Sequence, residues 1–372
     1  MALNILPIRL HNQQLVDSQF KSPEDLVAWM GAVQAQQPEM AKLALALRLQ
    51  KGTVDSIDEA IDEAKIIRTH VLRPTWHLVT SQDIRWMLQL SYRRLKNAYD
   101  TYEKGSGLLS EGHEWAKHLD MLAHLLCHRH LTRQQLSELF TQKLGKLHPH
   151  FMTSLLLNAE LEGIVCSGKQ QQGKHTYTLM DEWVPPYPVP THEEALALLA
   201  RKYFQSHGPA CFKDFLWWSG LTITEAREAL ALIGHELQKA VHEDEDYFFF
   251  EQAITKRKRV ESIIFLPAYD EYIIAYNVRK DVFRAKDMPK AFTKNGLFFP
   301  LVLVNGKAIG TWKLKNKKFP IFIGLSLVAL YGFIYVIIQL ENYALLVGSI
   351  GLFTILAIVM YVSRKVEWES RG

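Results

Sequence analysis

IIRTHVLRPTWHLV, residues Ile66–Val79, contains two short strand-like runs, IIRTHVL and TWHLV, placed around Arg73-Pro74. Three helical patterns lie upstream of it. Ser22-Pro23-Glu24-Asp25 opens the first with a capping serine, a proline in the first turn and acids near the positive end of the helix dipole. Leu26, Trp29, Met30 and Val33 then follow helical spacing, which predicts a helix to about Val33. Pro38 breaks the pattern, because the residue before a proline is pushed out of the helical region. A second helix is expected over about residues 39–49 and a third near 56–64. Helices followed by a hairpin is the order of a winged helix. The stretch Gln34-Ala35-Gln36-Gln37 falls at the bend before Pro38.

The order recurs downstream. Leu131-Thr132-Arg133 opens a helix to about Gln142, and a longer one runs from Pro149 to Glu162, ended by Gly163. GIVCSG and KHTYTLM then flank a polar tip, Lys169 to Gly173. A third copy begins at HGPACFKDFLWWSGL, His207–Leu221, with Thr224 capping a helix to about His235 and LQKAVH and YFFFEQ supplying strands. After KRKR, Lys256–Arg259, the pattern turns to strands. Ser262–Tyr276 is strand-like throughout, and Asn295–Trp312 holds a hairpin whose Asn305-Gly306 fits a two-residue turn.

The chain has 372 residues, 48% of them hydrophobic, with a formal charge of +4, enough for two or three domains and permissive of nucleic-acid binding. Cys127, Cys166 and Cys211 lie far apart and suggest a reducing compartment without a disulfide framework. Cys127-His128-Arg129-His130 is short and sits in a helical pattern, so no metal is expected. The first fifteen residues have no long apolar core and are not expected to be a signal peptide. Winged helices usually bind duplex DNA, and Arg73, Arg93, Arg94, Lys169, Lys174, Lys256 and Arg257 are the expected phosphate contacts.

The last fifty residues differ in kind. Phe319–Leu340 and Tyr343–Val362 carry no charge, and each run is about long enough to span a bilayer as a helix. Lysines 313, 315, 317 and 318 precede them, and Arg364 and Lys365 follow. By the positive-inside rule both ends face the cytoplasm, with Glu341-Asn342 outside and membrane lipid as a partner.

The ordered set Gln34-Ala35-Gln36, Arg68-Thr69, Arg73-Pro74-Thr75-Trp76-His77-Leu78, His207-Gly208-Pro209, Trp217-Trp218-Ser219-Gly220, Leu266 to Tyr272, Asn305-Gly306 and Gly310-Thr311-Trp312 resembles the AlkZ/YcaQ family of winged-helix DNA glycosylases. The resemblance covers about residues 1–312. It implies tandem winged helices with a β-barrel-like unit, and removal of alkylated purines, including bulky and crosslinked adducts, from double-stranded DNA. It also implies a catalytic Gln-x-Gln motif, matched by Gln34 and Gln36. The chemistry suits such a motif. Alkylation at N7 or N3 makes the base cationic, so it departs without being protonated. The enzyme has only to place a water and favour the cationic sugar, which two aimed amide carbonyls can do. In an extended segment, residues two apart project to one side, and Pro38 favours that geometry. Asp270 and Glu271 form a rival constellation in which a carboxylate acts as general base, with Asp270 expected near the site. His77 either contacts phosphate or the flipped nucleotide, or is a satisfied strand histidine. Trp217 and Trp218 read as core more than as a stacking platform.

Past Trp312 the chain departs from that family, and residues from about Lys317 to Trp368 resemble the end of the CreD inner-membrane protein family. The expected fold class is therefore α+β: tandem winged-helix units with a small β-barrel-like unit, followed by a two-helix transmembrane hairpin. The expected units are 1–125 with a helical extension, 126–190, 191–255, a β unit over 256–316, and the tail over 317–372. A DNA glycosylase acting as a monomer without cofactor is the first reading. A winged-helix regulator without catalysis, or a membrane protein fused to an inactive glycosylase-like body, are the others.

Overall fold

The computed structural model describes residues 3–108, 115–251, 261–293 and 295–313, together with Phe353 and Ala357. The chain divides into Met1–Trp312 and Lys313–Gly372.

In the first unit, α1 (Ile5–Asn12) precedes α2 (Pro23–Met30), β1 (Val33–Gln34), α3 (Pro38–Ala46), α4 (Val54–Asp62), β2 (Ile66–His70) and β3 (Trp76–Thr80). The Ser22 side chain caps α2 by accepting the Asp25 N–H. The helix stops at Met30, three residues before the expected Val33, because Gly31 leaves the helical region with φ +79°. That frees Val33-Gln34 to pair with β3, with Gln34 opposite His77, in the order β1-β3-β2. The triplet is thus the end of a strand and the turn into α3, and its first member is an edge residue of a sheet.

The arrangement recurs twice. After α5 (Ile84–Ser106) and α6 (Trp115–Leu126) come β4 (Leu131–Thr132), α7 (Arg133–Leu144), α8 (Phe151–Leu161), β5 (Val165–Ser167) and β6 (Thr176–Leu179), in the sheet order β4-β6-β5. The α6 residues Leu122 and Leu126 share a core with α8 and β6. Then follow α9 (Met180–Trp183), α10 (His192–His207), β7 (Ala210–Cys211), α11 (Phe212–Ser219), α12 (Ile223–Ile233), β8 (Gln238–His242) and β9 (Glu245–Phe249), in the order β7-β9-β8. The cap of α12 is Thr222, whose hydroxyl and the Glu225 carboxylate close a capping box, and not Thr224. Cys127 and His128 lie beyond the end of α6, with His128 at φ +54°.

The strand expected over Ser262–Tyr276 is cut short. Only β10 (Ile263–Leu266) is extended; Tyr269 turns at φ +59°, and Asp270 caps a one-turn helix, Glu271–Ile274. β10 pairs with β11 (Leu301–Val304), and β11 with β12 (Lys307–Thr311), around Asn305 at φ +50° and Gly306 at φ +80°. Among the described residues this is an open three-stranded sheet, which corrects the barrel-like expectation. Strands β10 and β12 both present exposed positions such as Ile263 and Ile309, and three strands are too few to close on themselves. The sheet buries its inner face, Ile264, Leu266, Leu301 and Leu303, against Leu10 of α1.

α1, unanticipated from the sequence, ties these parts together. The Arg9 Nε donates to the Pro209 carbonyl at 2.9 Å, and Asn12 Nδ2 to the Gly208 carbonyl at 2.8 Å. Among the described residues no helix is long and apolar enough to cross a membrane. The two uncharged runs of the expected hairpin lie outside the described residues apart from Phe353 and Ala357. Lys256 and Arg257 also lie outside them.

Candidate active site

The Gln-Ala-Gln triplet alternates as extended backbone requires. Ala35 is fully buried in the core of the first unit, so its neighbours Gln34 and Gln36 are directed away from that core. Gln34 is 5% exposed, while Gln36 is open to solvent. The Ala35 backbone is locked on both sides. Its N–H donates to the Trp76 carbonyl at 2.6 Å, and its carbonyl accepts from Arg68 Nε at 3.1 Å and Nη2 at 3.0 Å.

Gln34 is held from three directions. Its N–H donates to Glu271 Oε1 at 2.6 Å, its side-chain Oε1 accepts from Arg73 Nη2 at 2.9 Å, and its Cα pairs with His77. An amide oxygen has two lone pairs. Arg73 takes one, and thereby orients the amide and leaves the other for a water or a developing positive charge.

Glu271, 1% exposed, is the acid beside the triplet. Its Oε2 accepts from Trp218 Nε1 at 3.3 Å and lies 3.6 Å from His207 Nε2. Burial lowers the His207 pKa, with Glu271 pulling the other way. Burial likewise lowers Arg73, against the raising effect of Glu271. Arg73 lies 5.9 Å from the Trp217 ring centre, and Arg279, pushed down to about 10 mainly by burial, lies 5.6 Å from it. Trp217 is 41% exposed and donates to the Ile274 carbonyl, so it is not the core residue expected; Trp218, fully buried, is.

The remaining expected residues are placed as follows. Asp270 accepts two bonds from Arg48, at 2.7 and 2.8 Å, and one from the Tyr272 N–H at 2.9 Å. It is a buried anchor between the segment that follows α3 and the segment that carries Glu271. His77 is fully buried; its Nδ1 lies 2.8 Å from the Thr75 carbonyl, and burial and the Arg73 charge hold it well below the ordinary imidazole range. Arg94 donates to the Gly220 carbonyl at 3.0 Å. Arg93, Lys169 and Lys174 are exposed, the two lysines flanking the tip between β5 and β6. That tip is docked on α4, where Gln170 donates to Asp62 at 2.9 Å and Asp58 at 2.7 Å.

Sequence reasoning missed the Glu271–Gln34 contact, which spans 237 residues, and the Arg73–Gln34 contact across the hairpin. Only the neighbouring positions in the motif set signalled them. Among the described residues two side-chain groups have metal-ligand spacing, Cys127 with His128 and Glu182, and His242 with Glu243 and Asp281. No triplet residue belongs to either.

Residues 27–319 match the family described as DNA glycosylase AlkZ-like, and residues 309–369 match Inner membrane protein CreD. An interstrand DNA cross-link repair glycosylase from Streptomyces sahachiroi is 22% identical over 328 residues, covering 83% of this chain and 87% of the relative. The solved structure of Streptomyces sahachiroi DNA glycosylase AlkZ has a similar fold, with a TM-score of 0.72 at 20% identity, over 85% of this chain and 90% of that one.

Proposed function

The chain belongs to the AlkZ-like DNA glycosylase family, and from that premise we propose that it excises N7- and N3-alkylated purines from duplex DNA by water attack positioned at Gln34 and Gln36. It is a hydrolase of N-glycosyl bonds that acts in DNA repair. The observation that carries the finer reading is the clamp on Gln34, whose backbone is held by Glu271 and whose amide is held by Arg73.

Charge balance at this clamp suits departure of a cationic base. The bond to the sugar breaks with its electron pair, the alkylated base leaves neutral, and positive charge grows on the sugar. Arg73 alone would oppose that charge, but the buried Glu271 carboxylate offsets it. The free lone pair of Gln34 Oε1 and the exposed Gln36 amide then accept from the attacking water and stabilise the cation. Water loses its proton to solvent as its oxygen bonds to the sugar carbon. Interstrand cross-links, the lesion in the name of the Streptomyces sahachiroi relative, and other bulky adducts fit a site whose second glutamine is open to solvent.

Release of 7-methylguanine or 3-methyladenine from methylated duplex by the full-length chain tests this. Removing one preorganised dipole costs roughly 10²–10³-fold in rate, so Gln34→Ala and Gln36→Ala should each lower release by that order with duplex binding retained. Release unaffected by either change would overturn the reading.

For residues 317–372 we infer a two-span membrane hairpin from the two uncharged runs and from the match to CreD. Fractionation of the full-length chain with membranes tests it, and recovery in the soluble fraction without detergent would contradict it.

A further inference from the structure

A cleft that none of the triplet residues lines opens at Trp76, which both lines it and bonds Ala35. It has a volume of about 390 Å³ and lies between α5, α8 and the β2–β3 hairpin. This is within the roughly 300–1,000 Å³ that small-molecule sites occupy. Its walls are aromatic: Trp76, Tyr99, Tyr102 and Tyr177.

Its polar groups are not those of a packed core. The His70 Nδ1 lies 2.6 Å from Glu160 Oε2, with the two residues 8% and 1% exposed. The hydroxyl of Tyr99, itself 4% exposed, has no partner among the described residues. A buried hydroxyl left unpaired is costly, and its persistence marks a place where a ligand atom can satisfy it. Exposed Arg133, which donates to Thr153 at 2.6 Å, stands at the mouth.

The cleft is coupled to the triplet through one residue. Trp76 forms its wall, lies tilted at 40° against His70 with ring centres 3.9 Å apart, and accepts the Ala35 N–H through its carbonyl. Arg68 lies 4.0 Å over the other part of the same system, the Trp76 ring, while donating to Ala35. Pro74, at the rim, follows Arg73, the residue that holds Gln34.

We propose that this cleft receives a guanine-type purine turned out of the DNA stack. The cleft offers a flat ring aromatic side chains to pack on, Trp76, Tyr99, Tyr102 and Tyr177, where base stacking is favourable and indifferent to sequence. A carboxylate on the floor selects a base edge rich in N–H donors, and guanine presents N1–H beside its 2-amino group. The ring keeps both donors when alkylated at N7. A bare phosphate is excluded by Glu160, and an apolar peptide by the paired His70 and Glu160. The proposal rests on the glycosylase reading for the identity of its polymer, and not for the chemistry of the cleft.

Equilibrium dialysis of the full-length chain against labelled 7-methylguanine and 7-methylhypoxanthine, which lacks the 2-amino group, tests it. The first should bind at least tenfold more tightly than the second. Glu160→Gln should collapse that ratio, which a merely structural role for Glu160 would leave alone. Tyr102→Ala, at a surface position 37% exposed, should weaken binding of both by about tenfold with the fold intact. Equal affinity for the two bases, or a Tyr102→Ala variant that binds like the parent, would overturn the proposal. Gln34→Ala separates the two readings. Base binding that depends on Tyr102 and Glu160 without any excision by the parent chain removes the glycosylase mechanism and upholds the cleft. Excision lost in Gln34→Ala alongside base binding indifferent to Tyr102 and Glu160 removes the cleft and leaves the mechanism standing.

Discussion

The adjacent carboxylates Asp270 and Glu271 have different partners: Arg48 for the first, the Gln34 N–H and Trp218 for the second. Asp270 is fully buried with its cation, so removing it strands a charge. Asp270→Ala is expected to cost about 3–5 kcal/mol, read from the urea midpoint. Glu271→Gln keeps the volume and loses the charge. One charge-assisted hydrogen bond is worth about 1.5–3 kcal/mol, so release of 7-methylguanine should fall by roughly one to two orders of magnitude with the urea midpoint moved far less than in Asp270→Ala. The histidines set a pH dependence. Burial pushes His175 down to about 3, and His77 and His207 are also lowered. The folded chain keeps these rings neutral while the unfolded chain takes up protons below about pH 6.5. Stability is therefore fully present above about pH 6.5 and falls as the pH drops from there toward the folded values. Urea midpoints between pH 7.5 and 5 should decline, and His175→Gln should flatten the decline. Gln34 and Gln36 were legible as a candidate pair, because they stand in a recognisable motif. Their partners were not, because Asp270 and Glu271 are equivalent letters until the chain turn at Tyr269 sends one toward Arg48 and the other toward Gln34.

At the level of elements, the turn after α11 supports the hairpin that carries Arg73. Gly220 has φ +69°, and a Cβ there would meet the Leu72 carbonyl oxygen at 2.0 Å. Gly220→Ala would strain its own backbone and push Leu72-Arg73 aside. A loss of at least about 1 kcal/mol from the backbone alone, with a further loss from the clash, should appear in thermal denaturation, together with weaker excision. Helix starts were readable where a cap is local, as at Ser22. They were misplaced where two threonines compete, since Glu225 closes its box with Thr222 and not Thr224. The long strand expected over Ser262–Tyr276 failed for a different reason. Its apolar residues are buried by two elements in succession, a strand and a one-turn helix, and apolar content alone cannot distinguish them.

For the whole molecule, we propose that the exposed cations Arg93, Lys169 and Lys174 contact phosphate rather than base edges, so binding to DNA should be sensitive to salt and tolerant of sequence. Each change to alanine at these positions should reduce the slope of log affinity against log salt by about 1, measured by titrating random duplexes. A strong preference for a single palindrome would contradict this.

The sequence by itself determined the order of helices and hairpins, the triplet and its family, and the uncharged character of Phe319–Leu340 and Tyr343–Val362. These are properties of neighbours along the chain, carried by periodicity, capping and turn residues. Only the tertiary structure decided that α1 ties the third unit to the β sheet, that the sheet is open among the described residues, and that Glu271 and Arg73 clamp Gln34. Each is a contact between residues tens to hundreds of positions apart. It exists because burying the unit cores brings those surfaces together, and pairing the polar groups buried with them then selects which side chains meet.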